Sequence, residues 1–93
     1  MRRIERTSQF KRDYKREAKG RHRAGLDAIL TELLTLLVSD EPLAARYRDH
    51  PLSGEWAGCR DCHVRPDLVP IYEKPDAEVL QLIRLGSHSE LGW

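Results

Sequence analysis

The sequence predicts an α+β fold in a single domain, residues 1–93: an N-terminal strand, a helix hairpin, then a mainly antiparallel β-sheet. Three observations lead to it. The chain has 93 residues and is 40% hydrophobic, enough for one modest core. Apolar residues recur at helical spacing in the first half. The second half instead has short apolar runs separated by Gly, Pro and Asp, as in strands joined by turns.

The first half predicts one short strand and two helices. Residues 2–6 form the strand, with Ile4 as its apolar anchor, and Ser8 is the expected N-cap of the first helix. The buried stripe of that helix has i, i+4, i+8 spacing and consists of Phe10, Tyr14 and Ala18. Gly20 is the expected C-cap. The second helix spans residues 23–38, where leucine and isoleucine form a wide apolar face.

The second half predicts three strands. After Asp40-Glu41-Pro42 ends the second helix, Pro42 opens a short helical turn through Tyr47. The strands are expected at 56–64, 68–74 and 79–85, and the last should be central because it is apolar on both faces. Pro70 argues for an edge or a position outside the hydrogen-bond ladder in the second of these strands.

Charge is distributed unevenly along the chain. Residues 1–24 carry ten Lys and Arg against three Asp and Glu, so this end is at +7 although the whole chain is at +1. A basic segment on a near-neutral protein indicates a polyanion or an acidic partner, although a solvated helix face would look the same. No apolar run approaches the roughly 20 residues of a membrane span, and no signal-peptide pattern opens the chain, so we expect a cytoplasmic protein without membrane contact.

The string Cys59-Arg60-Asp61-Cys62-His63 matches haem-attachment, redox and zinc half-site patterns. We favour two ordinary reduced thiols. The segment is expected to be a strand, in which residues three apart point to opposite faces, so the two sulfurs would not share a ligand. No cofactor is expected.

Three histidines and an aspartate in the second half indicate acid–base chemistry. His50, His63 and His88 fall at element ends or in loops, and Asp67 follows His63 by four residues. Histidine both gives and takes a proton near neutral pH. Together with Arg84, this set would suit phosphodiester cleavage: one histidine takes the proton of a ribose 2′-OH, another protonates the leaving 5′-oxygen, and cations stabilise the charged phosphate. His22 is expected to be an ordinary surface residue.

The segment from Tyr47 to Asp67, Y-R-D-H-P-L-S-G-E-W-A-G-C-R-D-C-H-V-R-P-D, resembles the signature of YafQ-type toxins of the RelE/ParE superfamily. The segment from Arg84 to Leu91, R-L-G-S-H-S-E-L, resembles that family's R-T-G-T/S-H-x-x-L ending, and the basic helix hairpin is similar too. Two positions depart from the pattern: Leu68 replaces a common Trp after the Asp, and Gly92 follows the final Leu where an aromatic is common, leaving Trp93 as the nearest aromatic.

The resemblance implies a ribosome-dependent mRNA endonuclease that acts without a metal on mRNA in the ribosomal A site and is inhibited by a small acidic antitoxin. The catalytic residues it implies are His50, His63, Asp67 and His88. The RNA- and phosphate-binding residues expected are Arg84, Trp93 and the basic set of the first helix, Lys11, Arg12, Lys15, Arg16 and Lys19, which should meet ribosomal RNA.

Two other classes of function stay open. A ParE-type toxin shares the fold but acts on gyrase by binding, which does not need three titrating histidines. A metal-dependent nuclease is the second, since three His and one Asp are acceptable ligands for zinc or a harder ion. No H-x-x-x-H or H-x-H pair supports such a metal site.

Overall fold

The computed structural model describes residues 1–92, and Trp93 lies outside them. In chain order, its elements are β1 Arg3–Arg6, α1 Ser8–Glu17, α2 Leu26–Val38, a 3-10 turn Ala45–Tyr47, β2 His50–Pro51, a 3-10 turn Gly54–Trp56, β3 Arg60–Asp61, β4 Val69–Glu73 and β5 Val79–Gly86. The strands form one sheet in the order β1-β5-β4-β3-β2. β1 pairs parallel to β5, and all other neighbours are antiparallel. The predicted α+β class is therefore confirmed.

Both helices are present, but their ends differ from the prediction. Thr7, not Ser8, caps α1, since its side-chain oxygen accepts a hydrogen bond from the Phe10 N–H at 3.0 Å. The C-cap is Ala18 rather than Gly20. α2 begins at Leu26 instead of residue 23. Gly25 precedes it at φ +71°, a left-handed conformation that favours glycine and breaks the helical path at this point.

The predicted strand at 56–64 is wrong for most of its length. Residues 54–56 form a 3-10 turn, and Gly58 has φ +92°, so the extended segment is reduced to Arg60–Asp61. β2, a two-residue strand at His50–Pro51 that pairs with β3, was not predicted. The turn expected from Pro42 is confined to residues 45–47.

The other two strands lie close to their predicted positions. β5 is interior, as expected from its apolar sequence. β4 is also interior, so Pro70 is not on an edge; however, β3 pairs only with Ile71 and Tyr72, and Pro70 lies outside that short ladder. The pairing of β4 with β5 shifts register between Ile71 and Tyr72, leaving Ile83 as an extra residue in β5.

Two apolar clusters pack around the sheet. The larger one joins Phe10 of α1 and the leucines of α2 to Tyr72, Leu80, Leu82 and Leu85 of the sheet. The smaller one contains Val69, Ile71 and Leu91, with Trp56 and Cys59 packed against it. Cys62 belongs to the larger cluster, so the two cysteines pack in different clusters. Within residues 1–92, no helix is long and apolar enough to cross a membrane.

Candidate active site and family

The topology brings the predicted histidines to one end of the sheet. His50 begins β2, His63 follows β3, Asp67 precedes β4 and His88 follows β5. Because β2 through β5 alternate in direction, the start of one strand lies beside the end of its neighbour. Residues that are up to 38 positions apart in the chain therefore meet at the same end of the sheet.

His88 and Asp67 form the most completely connected pair of the site. Asp67 Oδ1 accepts hydrogen bonds from His88 Nδ1 at 3.1 Å and from the His88 backbone N–H at 3.2 Å. Arg21, in the loop between the helices, donates to the other oxygen of the same carboxylate. The His88 backbone bond is the largest of the influences that lower the pKa of Asp67, so this carboxylate is ionised and holds the ring of His88 in place.

His63 lies beside His88. Their ring centroids are 5.2 Å apart with the planes tilted by 48°. The backbone N–H of His63 donates to the Tyr47 carbonyl at 2.5 Å, which joins the chain after β3 to the 3-10 turn before β2. Two imidazoles thus stand within reach of one small substrate group.

His50 is held from two sides. Its Nδ1 lies 2.8 Å from the carbonyl oxygen of Arg48, a residue at φ +50°, and its Nε2 lies 3.0 Å from Asp61 Oδ1. The Asp61 side chain is fully buried, while half of the His50 side chain is exposed. Burial raises the pKa of Asp61, and the neighbouring His50, His63 and His88 oppose that rise. Asp61 was not among the predicted site residues, although the pairing of β2 with β3 places it directly opposite His50.

The structure places Arg84 against α1. Its guanidinium donates to the buried Asp13 carboxylate at 2.7 and 3.3 Å, and Asp13 also accepts from the Leu85 N–H at 3.0 Å and from Arg16 at 3.0 Å. Burial alone would raise the pKa of Asp13, but these hydrogen bonds outweigh it and lower the pKa. Arg84 is thus ion-paired to Asp13 of α1, with a fifth of its side chain exposed.

The basic residues of α1 and of the turn after it divide into two groups. Lys11, Arg12, Lys15 and Lys19 are exposed, which fits a surface that meets a polyanion and a solvated helix face equally. Arg16 instead donates to Asp13, Glu17 and the Leu85 carbonyl, and it pairs with Glu90 at 3.0 Å. Arg16 therefore joins α1 to the segment that carries His88.

The two departures from the family pattern have different consequences. Leu68 is fully buried in the larger cluster, so it belongs to the core rather than to the site surface. Gly92 is exposed, and the expected contribution of Trp93 lies outside the described residues. Among residues 1–92, no group of three or more His, Cys, Asp or Glu has an arrangement that would hold a metal ion.

Comparison with known proteins agrees with this architecture. Residues 2–92 match the family model described as "Bacterial toxin of type II toxin-antitoxin system, YafQ". The chain is 43% identical over 89 residues to the mRNA interferase toxin YafQ of Escherichia coli K12, covering 95% of this chain and 92% of that protein. The crystal structure of YafQ from E. coli BL21(DE3) superposes with a TM-score of 0.86 at 39% identity, with both chains fully covered.

A second crystal structure shows a YafQ toxin with its partner. The E. coli DinJ–YafQ toxin–antitoxin complex matches at a TM-score of 0.83 and 41% identity, covering 99% of this chain and 98% of that one. The match to the family model extends from residue 2, before the first strand, to residue 92, beyond His88. This chain belongs to the YafQ family of bacterial toxins of type II toxin–antitoxin systems.

Proposed function

We propose that this toxin is an endoribonuclease that cleaves mRNA in the ribosomal A site by acid–base catalysis without a metal ion. One observation carries the proposal: His50, His63, Asp67 and His88 meet at one end of the sheet. The chain that carries them is 43% identical to an mRNA interferase. Acid–base groups that converge on a small space are what a phosphodiester cleavage requires.

In this mechanism His50 and His88 are the proton-transfer pair. One imidazole removes the proton of the ribose 2′-OH, whose oxygen then attacks the neighbouring phosphorus. The bond from phosphorus to the 5′-oxygen breaks, and the second imidazole supplies that oxygen with a proton. The products are a 2′,3′-cyclic phosphate and a free 5′-OH, so one proton is taken up and one is released.

His63 and Asp67 have supporting roles in the proposal. Asp67 accepts a hydrogen bond from Nδ1 of His88 and so fixes the orientation of that ring. The ring centroid of His63 lies 5.2 Å from that of His88. In its protonated form, His63 would stabilise the charge that develops on the phosphate. Arg84 would contact the phosphate only after giving up one of its hydrogen bonds to Asp13, and it would then add positive charge there.

The ribosome and an antitoxin are the proposed partners. The exposed lysines of α1 provide phosphate contacts for ribosomal RNA, and the +7 segment at residues 1–24 provides a surface for a small acidic antitoxin. The relative in complex with DinJ supports the second partner. A pull-down from the native host should recover a small acidic protein with this chain; recovery of the chain alone would contradict the partner.

A primer-extension map of transcripts tests the function itself. Induction of the wild-type toxin should produce new 5′ ends inside translated regions, and induction of His88→Ala should not. Toxicity without new ends in either case would instead support a gyrase-binding toxin of the ParE type. Elemental analysis of the active protein separates the remaining alternative, since a metal-dependent nuclease would carry a stoichiometric metal ion.

A further inference from the structure

Asp61 is a buried ionisable group to which the mechanism above gives no role. It lies in β3, directly opposite His50 of β2, and its side chain is completely inaccessible to solvent. Neither carboxylate oxygen accepts a well-aligned hydrogen bond from residues 1–92. A buried carboxylate in this situation is costly unless a positive charge lies beside it.

The ring of His50 supplies that charge only when it is doubly protonated. A carbonyl oxygen accepts hydrogen bonds, so the 2.8 Å contact with Arg48 requires a proton on Nδ1. A neutral ring would then leave Nε2 unprotonated 3.0 Å from Asp61 Oδ1, and two acceptor atoms at this distance repel each other. In the other neutral tautomer the repulsion moves to the Arg48 carbonyl. With Asp61 ionised, only the imidazolium form makes both contacts favourable.

The other charged groups around Asp61 come from three further segments. His63 follows β3, His88 follows β5 and Asp49 precedes β2, and all three act electrostatically on Asp61. Asp49 is itself neutralised by Arg60 at 3.1 Å and accepts a hydrogen bond from Tyr72. Within residues 1–92, the basic group that pairs with the buried carboxylate is His50, with Nε2 3.0 Å from Asp61 Oδ1.

We propose that Asp61 is a positioning residue of this toxin: its buried carboxylate stabilises the imidazolium form of His50 and holds the ring against the Arg48 carbonyl. The inference rests on the proposed acid–base function and assigns a charge partner to one member of its catalytic set. If His50 is the base, Asp61 stabilises the cation that forms when the 2′-OH proton arrives. If His50 is the acid, Asp61 keeps it loaded with the proton that it donates.

Nitrogen NMR of the isotopically labelled toxin tests the proposal without reference to cleavage. At any given pH, the fraction of His50 rings that carry protons on both nitrogens should be smaller in Asp61→Asn than in the wild type, because the variant lacks the carboxylate that stabilises the cation. The matched control is Glu55→Gln, which removes an exposed carboxylate on the 3-10 turn before β3 and should leave His50 unchanged.

Cleavage supplies a second readout. In Asp61→Asn, the limb of the pH–rate profile that depends on His50 should move to lower pH, because the imidazolium form is less stable. The value of kcat should fall more than tenfold with little change in KM. Equal titration of His50 in wild type and Asp61→Asn would overturn the proposal, whatever the cleavage rate. If the protonation of His50 differs between the two proteins but the wild-type toxin does not cleave mRNA, the pairing of Asp61 with His50 stands and the proposed function is wrong.

Stability measurements keep the test decisive if Asp61→Asn folds poorly. His50→Ala removes the first of the charges that oppose the burial-raised pKa of Asp61, so that pKa rises further. Stability of His50→Ala should therefore fall more steeply than that of the wild type as pH rises from 4 to 7, and adding Asp61→Asn should remove the difference. A His50→Ala protein that is equally stable at both pH values would contradict the pair.

Discussion

At the residue scale, the Asp67 carboxylate is the centre of the hydrogen bonds around His88. It accepts two bonds from His88 and one from Arg21, so a single side chain orients the histidine and connects it to the helix hairpin. An amide at this position keeps the shape but loses the charge that favours a protonated partner.

Asp67→Asn should therefore lower the cleavage rate, but by less than the combined change of His50 and His88 to Ala. The measurement is single-turnover cleavage of ribosome-bound mRNA, with Glu55→Gln as the matched change of carboxylate to amide. A wild-type rate for Asp67→Asn would remove Asp67 from the mechanism.

The candidate site was predictable at the level of single residues because each histidine and Asp67 lies in a turn-rich or element-end context. The partners were not. Asp61 is followed by Cys62 in a segment whose sequence is typical of an uninterrupted strand, and only its register opposite His50 gives it a role. Arg21 and Arg16 were assigned to the basic segment, although the tertiary structure directs them to Asp67, Glu17 and Glu90.

At the element scale, Asp13 joins α1 to β5. Its carboxylate is inaccessible to solvent and accepts hydrogen bonds from Arg16, Arg84 and the Leu85 N–H. The helix pattern predicted the apolar stripe of Phe10, Tyr14 and Ala18 but not this polar contact, because a buried aspartate cannot be distinguished from an exposed one by spacing alone.

Asp13→Ala should lower the free energy of unfolding by about 3 kcal/mol, since it removes one partner of a buried ion pair. Asp13→Asn should lose less, because its oxygen still accepts from the Leu85 N–H. Urea unfolding at pH 7 measures both. A loss below about 1 kcal/mol for Asp13→Ala would show that α1 is held to β5 by apolar packing alone.

The exposed lysines along α1 and just beyond it form a second feature of this scale. Lys11 and Lys15 are spaced by four residues, so they share one face of α1, and Lys19 is exposed in the turn that follows the helix. Changing all three to Gln should weaken ribosome binding and reduce the slope of log affinity against log salt by about 0.7 to 0.9 for each phosphate that is no longer neutralised. Changing Arg3 and Arg6 to Gln, on the exposed strand β1, is the control and should have a smaller effect per charge removed.

Elements of strong periodicity were predicted well, and those set by tertiary pairing were not. α2 and β5 follow directly from their apolar patterns. β2 and β3 are two residues each and exist because they pair with neighbours, so no local pattern could define their ends. The left-handed Gly58 interrupts the segment that composition alone identified as a strand.

At the scale of the whole molecule, Asp40 connects distant parts of the chain. This residue follows α2 and pairs with Arg2 at 2.8 Å and with Lys74 at 2.7 Å. The hydrogen bond from Lys74, followed by that from Arg2, lowers the pKa of Asp40 to about 2. Because its ordinary value is 3.8, the stabilisation is present above about pH 4 and is lost as pH falls through 2.

Asp40→Asn should lower the unfolding temperature at pH 7, and the difference from wild type should vanish as the pH approaches 2. Asn tolerates the positive φ of 54° found at this position, so the backbone is preserved. Glu41→Gln, at the exposed neighbour, should show no such dependence. An Asp40→Asn difference that persists unchanged at pH 2 would contradict the ion pairs.

The central claim concerns the whole molecule: the sheet gathers histidines from separate strands into one acid–base site. The most direct test is single-turnover cleavage of ribosome-bound mRNA by His50→Ala and His88→Ala, each purified in folded form. The account predicts a rate loss of about 10²- to 10⁴-fold for each variant, the usual contribution of a positioned acid or base. Cleavage at the wild-type rate by both variants would contradict it.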